Sequence, residues 1–294
     1  MSGVSKGVFE DYDAAMSAAE VHTLCNLQNP ARWVLNVAHS RPVRLVVFIH
    51  GFRGRATATW NEFASSGKTD EWWRSSDMLF VGYDSRRDNI SGVADRVRMN
   101  LPNFYPKPHQ AAMDVGGFRP REDVESPYQE LIVVGHSLGG LIARRAMADA
   151  AQVRDDSRTT GETPQATEIL DARLILFSPA SAGFRPAGLL GAVRASSFWP
   201  ALFMYLSRSS AFTDLQPGSI TLENTRRRTE ALVAAGESSL RARILWANPD
   251  NVVIAERYDT DFVDDTEDGQ DHGSVCKPNP SYQLPLRFTS SGRR

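Results

Sequence analysis

Apolar residues come in short unbroken runs along this chain, separated by longer stretches of mixed character. Arg44 to Ile49 (RLVVFI), Asp77 to Tyr83 (DMLFVGY), Leu131 to Val134 (LIVV), Ala172 to Phe177 (ARLILF) and Ala242 to Trp246 (ARILW) are such runs. A strand open to water on one face alternates apolar with polar, whereas a strand covered on both faces reads as a continuous apolar run. These five are therefore predicted strands of a buried sheet, and Arg32 to Ala38 is a sixth candidate. Between them lie stretches of helical character. These are Tyr12 to Cys25, Trp60 to Arg74 with Trp60, Phe63, Trp72 and Trp73 as anchors, Ile90 to Leu101, and Gly140 to Val153. Apolar strands alternating with helices predict an α/β domain with a mostly parallel sheet and helices on both faces.

Three stretches break the rhythm. Residues 102 to 127 hold Pro102, Pro106, Pro108, Pro120 and Pro127, too many for a long regular element. Residues 154 to 167 are polar, contain Gly and Pro, and read as an exposed loop. Residues 184 to 240 contain no clear strand and include Phe198-Trp199-Pro200-Ala201-Leu202-Phe203-Met204-Tyr205-Leu206. That run is shorter than the ~18 apolar residues that span a bilayer. It reads as a core helix, as a lid whose apolar face lines an acyl pocket, or as a contact with a membrane surface. On the lid reading, Phe198, Trp199 and Phe203 bind substrate, and residues 184–240 are a lid or cap inserted in a single domain covering 1–294.

Composition narrows the class. Of the 294 residues, 41% are hydrophobic and 23% charged, as in ordinary globular proteins. The net charge of −2, with arginines mostly scattered, gives no reason to expect nucleic acid as a partner. Arg226-Arg227-Arg228 reads as a solvated helix face. Two cysteines, Cys25 and Cys276, are too few for a disulfide framework and fit no zinc spacing, so free thiols in a reducing compartment are expected. Met1 to Lys6 does not read as the start of a signal peptide. The expectation is a cytoplasmic protein without a transmembrane segment, a metal or a cofactor. The sequence sets no oligomeric state.

The chemistry is concentrated where the LIVV strand ends. Gly135-His136-Ser137-Leu138-Gly139 follows it and a helical stretch begins at once. This is the G-x-S-x-G pattern in the strand–turn–helix setting that holds a serine hydroxyl out on a tight turn. The next helix begins beneath the reacting atoms, where its dipole and free N–H groups favour an oxyanion. A serine needs a base, usually a histidine that a carboxylate orients. The chain order for such an elbow is Ser, acid, His. Of the six histidines only His272 follows Ser137, in Gly269-Gln270-Asp271-His272-Gly273-Ser274. Asp250 lies just past the ARILW strand in Asn248-Pro249-Asp250-Asn251-Val252-Val253 and is the favoured acid. Asp264 and Asp265 compete most closely, with Asp259, Asp261 and Asp268 also near, and the side chain of Asp271 should point away from the ring. The backbone N–H groups of Leu138 and of Phe52, in His50-Gly51-Phe52 after the RLVVFI strand, are the expected oxyanion donors. His50 and His136 read as structural, and Cys276 lacks the setting of a nucleophile.

These residues resemble the α/β-hydrolases of the lipase-like serine esterase group. Phe48-Ile49-His50-Gly51-Phe52-Arg53-Gly54 with Trp60 is similar to their oxyanion loop, and Gly135 to Gly140 to their elbow. Phe177-Ser178-Pro179-Ala180-Ser181-Ala182-Gly183 resembles a strand end that often reads Pro-His-x-Gly, with Ala180 in the place of that His. Asp271-His272-Gly273-Ser274-Val275-Cys276-Lys277-Pro278 is similar to the ending found in the branch of GPI-inositol deacylase-like and SERAC-type hydrolases. The resemblance implies an α/β-hydrolase fold and hydrolysis of a lipid or small apolar acyl ester through an acyl-serine. A thioesterase, amidase or acyltransferase with the same triad, or a non-catalytic scaffold, are the alternatives.

Overall fold

The computed structural model describes residues 22–28, 30–66, 70–109, 120–123, 125–185 and 213–291. Its centre is an eight-stranded sheet. The strands are β1 (His22–Asn26), β2 (Val34–Ala38), β3 (Arg44–Ile49), β4 (Ser76–Val81), β5 (Glu130–His136), β6 (Ala172–Phe177), β7 (Ala242–Asn248) and β8 (Asp265–Asp268). Their spatial order is β1-β2-β4-β3-β5-β6-β7-β8. From β4 to β8 all pairs are parallel, while β1 with β2 and β2 with β4 are antiparallel.

The unbroken apolar runs have the predicted cause. Along a strand successive side chains point to opposite faces. On β3, Leu45, Val47 and Ile49 enter one core, and Val46 and Phe48 enter the other. The same split runs through β5, with Leu131 and Val133 against Ile132 and Val134. The first core is covered by α3 (Ile90–Asn100), α4 (Leu138–Thr160) and α5 (Ile220–Ala234). The second is closed by α1 (Asn61–Ser66), α2 (Glu71–Arg74) and α6 (Leu284–Ser290). There Phe48 is ringed by Trp60, Phe63, Phe80 and Trp73 at centroid distances of 5.0, 5.3, 5.3 and 6.3 Å. Each side chain of that size contributes about 1.5–3 kcal/mol by burial.

Several boundaries differ from expectation. His22–Asn26 was expected within a helix but is a strand, because it completes the sheet edge by antiparallel pairing with β2. Trp60 to Arg74 forms two short helices. The second restarts at Asp70, whose side chain caps it by accepting the Trp72 N–H at 2.8 Å. The helix α4 runs on to Thr160, through residues read as loop. Its polar tail, Arg154 to Thr160, faces water apart from Arg154, which pairs with Glu237. It stops at Gly161, which adopts the left-handed conformation (φ 76°). The strand β8 is polar throughout and offers no periodicity to read.

Of the stretch expected as a lid or cap, residues 186–212 lie outside the described residues, and with them Phe198, Trp199 and Phe203. The described remainder includes α5, which packs on α4 and bonds to it through Arg228 and Asp149 at 2.7 Å.

Candidate active site

The parallel strands all deliver their C-terminal ends to one edge of the sheet, where loops converge. Ser137 follows β5 there with φ 54° and ψ −122°, a conformation that costs a non-glycine residue strain. Three backbone hydrogen bonds hold it. The Ser137 N–H donates to Phe177 O at 3.1 Å, and the N–H groups of Gly140 and Ala180 both donate to Ser137 O at 3.0 Å. The buried Ala180 thus serves through its backbone, on a strand end tied to the elbow.

Close approach explains the glycines of the motif. A Cβ on Gly139 would lie 2.1 Å from Ile49 O and 2.5 Å from His50 O, so the first turn of α4 can settle on the end of β3 only without a side chain. A Cβ on Gly51 would lie 2.9 Å from Ser137 Cβ and 3.1 Å from His136 Nδ1. The turn after β3 is thereby pressed against the serine. Among the described residues, the amide N–H groups of Phe52 and Leu138 donate to no protein acceptor, while the Phe52 ring packs edge-on against Phe184 at 6.3 Å.

Ser137, His272 and Asp250 form one hydrogen-bonded line. Ser137 Oγ lies 2.9 Å from His272 Nε2, and His272 Nδ1 lies 2.9 Å from Asp250 Oδ2. Asp250 sits in the turn after β7, and its other oxygen accepts the N–H groups of Val252 and Val253 at 2.9 and 3.0 Å. Burial alone would raise the Asp250 carboxyl. The hydrogen bond and charge of His272, with the Val253 and Val252 N–H groups, outweigh it and hold the carboxyl below its ordinary range. The competing acids are engaged elsewhere. Asp264 accepts the Trp246 indole N–H at 2.6 Å, and Asp265 begins β8, exposed. The Asp261 carboxylate is buried in an ion pair with Arg144, whose guanidinium lies over the Tyr258 ring. Asp271 accepts the N–H groups of Gly273 and Ser274 at 2.9 and 2.8 Å, closing the loop that carries His272.

His50 and His136 are both buried, and each braces a loop. His50 stacks on Tyr83 (4.2 Å, 6° between planes), and the Tyr83 hydroxyl donates to His50 O at 2.6 Å. Burial pushes His50 down to about 4. His136 turns away from the serine hydroxyl. Its Nε2 donates to the backbone carbonyl of His272 at 2.8 Å, the rings lying 4.9 Å apart. Burial, then the charge on His272, push His136 down to about 3, so it stays neutral and holds the backbone of His272. Sequence reasoning classed His136 as structural without finding this contact. No spacing signals it, because the two residues are 136 positions apart. Cys25 and Cys276 are buried thiols, pushed up to about 11 and about 12 by burial, which is the reverse of an activated nucleophile. Among the described residues no three His, Cys, Asp or Glu side chains are placed to hold a metal ion. Nor is any helix among them long and apolar enough to cross a membrane.

A family model described as "Alpha/beta hydrolase family" matches residues 46–283. Among solved structures, the mature form of the lipase BlEst2 from Bacillus licheniformis superposes with a TM-score of 0.54 at 14% identity, covering 87% of this chain and 96% of that one. The propeptide form of the same lipase gives 0.53 at 14% identity, with 89% of this chain and 54% of that one covered, so this chain spans about half of that longer form. At such identity the likeness speaks to the fold. No curated protein matches the sequence.

Proposed function

The chain belongs to the alpha/beta hydrolase family, and we propose that it is a serine ester hydrolase acting on a lipid or small apolar acyl ester through an acyl-Ser137 intermediate. The observation that carries this reading is the line Ser137 Oγ – His272 Nε2 – His272 Nδ1 – Asp250 Oδ2, with both links at 2.9 Å. Asp250 accepts the hydrogen bond of Nδ1–H, which keeps the proton on Nδ1 and leaves the Nε2 lone pair facing the hydroxyl. His272 takes the Ser137 proton as Oγ bonds to the ester carbonyl carbon. The carbonyl π-electrons move onto oxygen, and the N–H groups of Phe52 and Leu138 stabilise that charge. Collapse breaks the ester C–O bond, and His272 returns the proton to the leaving alcohol. Water then repeats the sequence on the acyl-enzyme, yielding the acid and free Ser137. The finer placement in the branch of GPI-inositol deacylase-like and SERAC-type hydrolases rests on the Asp271–Pro278 ending.

The test is hydrolysis of p-nitrophenyl esters of graded chain length by wild type and Ser137→Ala, with labelling by a fluorophosphonate. Wild type should hydrolyse at least some of the series and be labelled, and Ser137→Ala should do neither. A folded wild-type protein that hydrolyses none of them and takes no label overturns the reading.

A further inference from the structure

Two adjoining cavities open beside the Gly51–Phe52 turn. The first, about 350 Å³, is bounded by Gly51, Phe52, His136, Gly273 and Lys277, the neighbours of Ser137 and His272. The second, about 420 Å³, is bounded by Arg32, Tyr83, Asp84, Ser85 and Arg86. Arg53, Gly54 and Arg55 line both and form the wall between them.

Four exposed arginines, Arg32, Arg53, Arg55 and Arg86, line the second cavity against one carboxylate residue, Asp84. That leaves three net positive charges among the residues around the cavity, on a chain whose own balance is −2. Asp84 is already shared between Arg86 at 3.7 Å and Arg87 at 3.8 Å. Among the described residues the guanidiniums of Arg32, Arg53 and Arg55 have no carboxylate within ion-pair distance. Like charges gathered in this way repel one another, and an anion placed between them relieves that repulsion.

The gathering is built into the backbone. Arg32 and Arg53 are both held in the left-handed region, at φ 70° and φ 60°. A non-glycine residue stays there only where its surroundings over-determine it, and such strain collects at functional sites. The Arg53 N–H donates to the buried Ser85 Oγ at 2.8 Å. The Arg32 carbonyl lies so near Gly82 that a Cβ there would stand 2.1 Å from its oxygen. The Tyr83 hydroxyl joins the same two loops through His50 O. The bonds that position the turn carrying the Phe52 amide therefore also position the arginines, at a set offset from Ser137.

We propose that this arginine cavity binds a carboxylate or phosphate carried by the ester substrate, so that the enzyme selects anionic esters over neutral ones of equal size. Guanidinium suits this task because its planar donor fork pairs with either anion through two hydrogen bonds. The selection rests on the serine ester hydrolase reading; the anion site itself does not.

The experiment has a binding arm and a catalytic arm. Inorganic phosphate and glutarate are titrated calorimetrically into wild type, Arg32→Gln/Arg86→Gln and Arg32→Lys/Arg86→Lys. Binding should be present in wild type, weaken roughly tenfold in the Gln variant and recover partially with Lys. In the catalytic arm kcat/KM is compared for mono-p-nitrophenyl glutarate and p-nitrophenyl butyrate, and for phosphatidylglycerol and the phosphate-free diacylglycerol of the same acyl chains, both dispersed in the same neutral detergent micelles. The anionic member should be preferred in at least one pair. That preference should fall roughly tenfold in the Gln variant and shrink with added salt. The pair showing it tells a soluble anionic ester from a lipid headgroup. No titratable anion binding, or a preference equal in wild type and Gln variant, overturns the proposal while hydrolysis of the butyrate keeps the esterase reading standing. If hydrolysis and fluorophosphonate labelling both fail, that reading falls, and loss of phosphate binding in the Gln variant still decides the site.

Discussion

Replacing Asp250 by Asn tests its proposed role as the orienting acid with little change of shape. Oδ1 of Asp250 accepts two backbone N–H groups, from Val252 and Val253, and an Asn carbonyl can keep both. The other position then becomes an amide NH2, facing His272 Nδ1 at the 2.9 Å that Oδ2 occupied. A donor there forces the imidazole to accept at Nδ1 and to carry its proton on Nε2. Nε2 then offers a hydrogen to Ser137 Oγ where a lone pair is needed. The loss of that base is worth on the order of 10⁴-fold in kcat, or about 5 kcal/mol at ~1.4 kcal/mol per tenfold. The assay is steady-state hydrolysis of the best p-nitrophenyl ester, with thermal unfolding to show that the variant folds. Asp264→Asn is the control, because Asp264 faces the Trp246 indole and Arg257 and should leave kcat within about twofold. An Asp250→Asn enzyme within tenfold of wild type, or a large loss in Asp264→Asn, would refute the assignment.

Other perturbations separate fold from site. Gly51→Ala puts a Cβ 2.9 Å from Ser137 Cβ. It should fold with a stability loss of about 1–3 kcal/mol, yet lose roughly 10²-fold or more in kcat as the turn is displaced; urea melts and kinetics measure the two effects separately. Arg144→Met leaves the Asp261 carboxylate buried without its cation and should cost about 3–5 kcal/mol in denaturant unfolding. Acid should weaken the fold in a defined window. Burial holds His50 at about 4 and His136 at about 3, so the unfolded chain binds protons that the folded one refuses. Stability is therefore full at neutral pH, falls as pH drops below about 6.5, and stops falling on this account near the folded-state values. His136→Gln should flatten the decline of the urea midpoint between pH 7 and 5, and an unchanged slope would count against the assignment.

The sheet was legible because burial on both faces leaves one signature, the unbroken apolar run, and each run read that way became a strand. Regions governed by pairing alone were not legible. β8 is Asp-Thr-Glu-Asp and is a strand only because β7 offers it an edge, with Leu245 opposite Asp265. His22–Asn26 is likewise a strand by virtue of β2. The polar end of α4 was lost for a related reason, since helical hydrogen bonds continue through residues that, apart from Arg154, face water, until Gly161 permits the left-handed turn. At the site, chain order selected His272, and the position of Asp250 after β7 favoured it over its rivals. The turn after β7 supplies the physical ground, because two successive N–H groups fasten one carboxylate oxygen and aim the other at the ring. What the rival acids do instead, such as Asp261 with Arg144 across 117 positions, depends on contacts that have no local trace.

The glycines and the two buried histidines make one assembly of the site. β3 and β5 are neighbours, and Ile49 stands opposite Gly135 in their register. The turns that leave them must therefore pass within a side chain's width of each other. Gly139 lets the elbow helix meet the carbonyls of Ile49 and His50, and Gly51 lets the opposite turn meet Ser137. His50 is the hinge of that contact, stacked on Tyr83 and bonded through its carbonyl to the same residue. His136 extends the assembly in the other direction, to a loop that the sheet alone would leave far less constrained, by donating to His272 O. The donor to the His272 carbonyl is thus the residue beside Ser137, and the bond ties the His272 loop directly to that residue. A His136→Phe variant breaks this link while keeping the ring. It should lower kcat roughly tenfold or more, because the His272 loop loses its anchor, with a smaller effect on KM. An equal rise in KM with kcat intact would show instead that His136 serves substrate binding.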